Sequence, residues 1–122
     1  MKMCIIYEEN NKCISNKIFF ARSNFLPKGW SYDHVGFVIN NGFIQMSGHR
    51  ISDEVYVTKN ITDDKNFSSN HIKIIDLPKF VQFTKNNTLG SENCGTFVYN
   101  VLKINGINMP LQKIYSIFKN GK

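Results

Sequence analysis

Residues 34–48 read HVGFVINNGFIQMSG, two β-rich apolar runs on either side of an Asn-Gly step. This feature limits the fold most, because Asn-Gly between such runs is the strongest short-range signal for a β-hairpin. With Asn41-Gly42 as a two-residue turn, Asn40 pairs with Phe43, Val38 with Gln45, Gly36 with Ser47 and His34 with His49. Further strands are expected at MCIIY (3–7), KIFFA (17–21), DEVYVT (53–58) and HIKIIDL (71–77), each rich in β-branched or aromatic residues. The segment ARSNFLPKGWSYD is a loop broken by Pro27 and Gly29. After Pro78, KFVQFTKN (79–86) reads as a helix with Phe80, Val81 and Phe83 as its apolar residues. A helix opening at Cys94, a turn at Asn105-Gly106 and a last helix near LQKIYSIFK, introduced by Pro110, complete the chain. Strands followed by helices imply an α+β class, an antiparallel β-sheet packed by helices, in a single domain over residues 1–122.

Composition narrows the function classes. The apolar fraction of 42% and aromatic fraction of 13% are those of a globular chain rather than a disordered one. No apolar run approaches the roughly 18 residues of a membrane span, so no transmembrane segment is expected. The start, MKMCIIYEENNKC, is too briefly apolar for a signal peptide, and the expected setting is cytoplasmic. Heavy use of Asn, Lys and Ile suggests an AT-rich genome, which fits a bacterial, phage, viral or delivered effector protein.

The formal net charge of +6 comes almost entirely from lysine and suits an anionic surface. Those lysines are scattered and arginine is scarce, so no specific nucleic-acid reader is expected. Three cysteines without a CxxC or Cys/His spacing give no metal site and no disulfide framework. A reducing compartment follows, with no cofactor. Cys4 reads as a small buried hydrophobe, and Cys13 as a residue near a turn. Asp63-Asp64, within NITDDKNFSSN, reads as part of a solvated loop rather than a metal pair.

Cys94 has a different setting. In SENCGTFVYNVL, Phe97, Val98, Val101 and Leu102 fall at helical spacing and form a core face. Ser91 or Asn93 caps the helix. Cys94 then lies in the first turn, where unpaired N–H groups and the positive end of the dipole favour an anion. A lowered thiol pKa is expected there, and Gly95 leaves room for a substrate to approach. The backbone N–H of Cys94 is a candidate oxyanion donor. A nucleophilic cysteine also needs an imidazole, and His34 opens an apolar strand that this helix could cover. The alternative from residue types alone is a space-filling cysteine and a histidine satisfied at a strand end.

The two segments Asp33-His34-Val35-Gly36-Phe37-Val38-Ile39 and Asn93-Cys94-Gly95-Thr96-Phe97-Val98 together resemble the circularly permuted NlpC-type papain-like cysteine hydrolases. That group includes the lecithin–retinol acyltransferase-like proteins. The resemblance lies in a histidine box on a strand, a second strand after a Gly turn, then N-C-x-x-F-V opening a helix, with His before Cys. It spans roughly residues 30–104 and about a dozen specific positions. It implies a permuted papain-like fold with Cys94 as nucleophile and His34 as general base. The family's third polar residue, which orients the imidazole, falls on Met46 in an ungapped comparison. Hairpin geometry offers Gln45 first, then His49 or Ser47, on the face of His34. Trp30 and Tyr32 either line a substrate groove or cover the sheet edge.

Three functions follow. The first is a thiol hydrolase that cleaves a peptide or isopeptide amide through a Cys94 acyl-enzyme. The second is a phospholipid acyltransferase or phospholipase on the same architecture, and the third is a noncatalytic binding module. The partner is accordingly a peptide or an acyl substrate.

Overall fold

Residues 18–21 and 34–37 are buried throughout, so the two strands that carry them are covered on both faces. The computed structural model describes residues 12–24, 29–39, 42–46, 55–58, 67–84, 91 and 93–122, with backbone alone at 45–46, 55–58 and 67–71. Five strands form one antiparallel sheet: β1 (Cys13–Ser23), β2 (His34–Ile39), β3 (Gly42–Met46), β4 (Val55–Thr58) and β5 (Phe67–Phe83). Their order across the sheet is β4-β3-β2-β1-β5. Two helices are present among the described residues, α1 (Cys94–Ile104) and α2 (Leu111–Asn120). The α+β class expected from the sequence is the one observed. The expected strand at 3–7, with Cys4, lies outside the described residues, as do Asp63 and Asp64.

The main core lies between one sheet face and the helices. Ile18 and Phe20 of β1, Val35, Phe37 and Ile39 of β2, and Val81 and Phe83 of β5 meet Phe97, Val98, Val101 and Leu102 of α1. Ile114, Ile117 and Phe118 of α2 complete this layer. At its centre the rings of Phe37, Phe83 and Phe97 lie 5.2 to 5.7 Å apart, within the range of favourable aromatic pairs. The other face carries a smaller cluster, Phe19 and Ala21 with Val38, Phe43 and Ile72.

β1 changes phase on its way through the sheet. Cys13 lies on the helix side, yet so do Ile18 and Phe20, because the register with β5 breaks between Ser15 and Lys17. Ser15 holds the break: its hydroxyl donates to the carbonyls of Lys17 (2.8 Å) and Val38 (2.6 Å) and accepts from the Lys17 amide (3.2 Å). The same irregularity accommodates Pro78, which has no N–H to pair and is tolerated in an edge strand.

Three expectations are corrected here. Residues 79–83 continue β5 rather than starting a helix. Val81 and Phe83 are buried while Phe80 is 64% exposed, a period of two, and they pair with Ser15 and Cys13; burial against β1 overrides a short ambiguous apolar run. Cys13 is the buried first residue of β1 and is disulfide-bonded, whereas Cys94 is a free thiol. An odd cysteine count still allows one bridge, so the expectation of none was too strict.

The hairpin register is the third correction. Gly36 pairs with Gln45, Phe37 with Ile44, Val38 with Phe43 and Ile39 with Gly42. Gly42, at φ 154°, begins β3 instead of sitting inside the turn. The pairing is displaced by two residues from that expected, and two is the period of the pleat. Position 45 therefore keeps to the face of His34 and position 46 to the opposite one.

Candidate active site

The start of α1 is built by its own sequence. Asn93 is the N-cap: its side-chain oxygen accepts from the Thr96 amide at 3.0 Å, and its own amide donates to Thr96 Oγ1 at 2.9 Å. This reciprocal capping box fixes where the helix begins. Ser91, the other cap candidate, is buried and accepts instead from Asn100 Nδ2 at 3.4 Å. Cys94 is thus the first residue of α1, and Phe97, Val98, Val101 and Leu102 anchor the helix on the sheet. At the far end Asn105 ties α1 to β5, accepting from the Gln82 amide at 3.0 Å and donating to the Gln82 carbonyl at 2.9 Å.

This placement sets the sulfur against the head of β2. Cys94 is 8% exposed. Burial pushes its thiol above the ordinary range; the backbone N–H groups of Val35, Gly95 and Cys94 itself pull it down, and the Asp33 charge pushes it up. The balance is upward, which corrects the expectation of a lowered pKa. The helix-start amides do act on the sulfur, but loss of hydration costs the thiolate more than they return. At neutral pH the side chain is therefore a thiol.

His34 is also buried, at 6% exposure, and pairs with Ala21 of β1. Alternation along β2 sends Val35 toward α1 and His34 toward the opposite face, where its ring lies 5.9 Å from that of Phe19. The structure thus brings Cys94 to the peptide unit joining His34 to Val35, while the imidazole packs on Phe19.

The other expected site residues are distributed around this point. Gln45 is paired with Gly36, two residues along β2 from His34; Ser47 and His49 lie outside the described residues. Trp30 is exposed, with the Lys119 ammonium 5.7 Å from its ring centre. Tyr32 is half-buried against Phe20, with ring centres 6.0 Å apart. Gly95 is buried, and a side chain added there would meet Asn93 Oδ1 at 3.3 Å and the Tyr115 phenol at 3.6 Å. The space beside Gly95 is therefore bordered by α2.

Sequence reasoning missed Asp33, Ser23 and Tyr115. Asp33 was legible only as a neighbour of His34, and its partner Ser23 lies ten residues away across a loop. Tyr115 carried no signal, because the packing of α2 over the start of α1 is a tertiary fact. Among the described residues, no group of three or more His, Cys, Asp or Glu side chains could hold a metal ion, and no helix is long and apolar enough to cross a membrane. No family model, curated protein or solved structure matches the chain.

Proposed function

We propose that this protein is a thiol hydrolase of the permuted papain-like kind, cleaving a peptide or isopeptide amide through Cys94 with His34 as general base. One observation supports this reading above the others: a free cysteine at the first position of a capped helix, its sulfur ringed by backbone N–H groups, one of them on the peptide unit that follows His34. Because the thiol is neutral at rest, the reaction begins with proton removal rather than from a standing ion pair. General-base catalysis requires the His34 ring, at the first position of β2, to come within hydrogen-bond reach of the sulfur. Its nitrogen takes the S–H proton as the sulfur lone pair attacks the carbonyl carbon, and the carbonyl π pair moves to oxygen. The Cys94 N–H at the helix start is a candidate donor to that oxyanion. Collapse expels the amine, which takes the imidazolium proton and leaves a thioester. Water then attacks the thioester, giving a proton to His34, and the thiolate departs and recovers it.

A second reading, a noncatalytic binding module, is favoured by the raised thiol and by the contact of His34 with Phe19. Turnover assays separate the two. Wild type and Cys94→Ser are compared on a peptide and isopeptide amide library and on a short-chain phospholipid. Amide cleavage by wild type that is lost in Cys94→Ser is the expected result. Phospholipid deacylation without amide cleavage would move the assignment to an acyltransferase or phospholipase. Turnover of neither would leave the binding module.

A further inference from the structure

The segment that leads into His34 is held from two sides. Ser31 and Tyr32 donate their amides to the Phe118 carbonyl near the end of α2, at 2.8 and 2.9 Å. Asp33 then crosses to β1: its amide donates to the Ala21 carbonyl at 3.1 Å, and its Oδ1 accepts from the Ser23 amide at 2.8 Å. Its Oδ2 accepts from the Ser23 hydroxyl, itself a buried group. Both carboxylate oxygens are thus fixed on one residue of the neighbouring strand, two positions before the Val35 amide that meets the Cys94 sulfur.

Resting on the hydrolase reading of this site, we infer that Asp33, clamped by Ser23, is a positioning residue: it fixes the head of β2, and with it the Val35 N–H and its own carboxylate, beside Cys94. Charge-assisted bonds to a neutral amide and hydroxyl are stronger and shorter than neutral ones. They hold the strand start in one place without adding a cation that would stabilise a thiolate. A negative charge near a thiol disfavours the thiolate, and Asp33 acts on Cys94 in that sense. Among the described residues, the titratable groups that face the start of α1 are Asp33 at the head of β2 and Tyr115 of α2, beside Gly95. Of these, Asp33 supplies the standing charge. The arrangement protects the nucleophile from adventitious alkylation and oxidation, which proceed through the thiolate, until a base removes the proton.

Two variants test this, neither needing turnover. Asp33→Asn keeps an oxygen acceptor for the Ser23 amide but removes the charge. The pH midpoint for iodoacetamide alkylation of Cys94 is expected to move down, with a several-fold faster reaction at neutral pH, in a protein that still unfolds cooperatively. Ser23→Ala keeps the charge and removes the hydroxyl; hydrogen exchange at the His34 and Val35 amides is expected to accelerate relative to the rest of β2. An unmoved midpoint in a folded Asp33→Asn protein, or unchanged exchange at Val35 in Ser23→Ala, overturns the inference. Should the hydrolase reading itself be wrong, turnover is absent while both shifts remain, so the two failures are distinguishable.

Discussion

Gly36→Ala is expected to destabilise the protein by about 3 kcal/mol or more, at the upper end for overpacking of a native core. A Cβ at this position would lie 2.5 Å from the Ile44 carbonyl oxygen and 2.7 Å from Phe19 Cε1. The oxygen belongs to the backbone of β3, so relief requires β2 and β3 to separate where Gly36 pairs with Gln45. Phe19 cannot retreat freely either, since its ring packs edge-on against Phe43 at 4.9 Å and against His34. For a domain of this size the loss corresponds to a fall of roughly 10 °C or more in Tm, measurable by thermal unfolding. Gly95→Ala is the contrast: its Cβ would meet its nearest neighbour, a side-chain oxygen, at 3.3 Å, and helical Ala is intrinsically favoured over Gly. Similar losses from both substitutions would contradict this account of the close approach at Gly36.

His34→Ala is expected to lower kcat for amide cleavage by roughly 10²- to 10⁴-fold, the usual contribution of a positioned general base, with KM little changed. The size follows from the state of the nucleophile. A cysteine with a depressed pKa would supply its own thiolate and tolerate the loss of a base. Cys94 is buried and held as a thiol, so at neutral pH few molecules could react without a proton acceptor. Alkaline pH should recover part of the lost rate, because hydroxide replaces the missing base; the recovery should rise with pH as the thiolate fraction rises. Steady-state kinetics from pH 6 to 10 on both proteins test this. Activity of His34→Ala within a fewfold of wild type would remove His34 from the chemistry.

The sequence reading recovered the parts of this fold that are written locally. The β2–β3 hairpin, the helix from Cys94, its Asn93 cap and the last helix all follow from turn, capping and periodicity signals that lie within a dozen residues. Its errors have tertiary causes. Residues 79–83 carry apolar positions compatible with either period, and only pairing with β1 selects the strand. The hairpin register depended on whether Gly42 belongs to the turn or to the strand, and the conformation of one glycine decided it. For the site, the approach of Cys94 to the head of β2 was legible as two motifs. The sign of the thiol's shift was not, because burial depends on how α1 and α2 close over the first turn. The Ser23–Asp33 clamp joins two residues across a loop and has no local signature.

The most direct test of the central claim, that Cys94 is an acyl-accepting nucleophile, is the intact mass of the protein after brief exposure to an activated acyl ester at neutral pH. The expected result is a single acyl adduct on wild type that maps to Cys94, is released by hydroxylamine as a thioester, and is missing from Cys94→Ala. No adduct on wild type, or only hydroxylamine-resistant acylation of lysines that persists in Cys94→Ala, would contradict it.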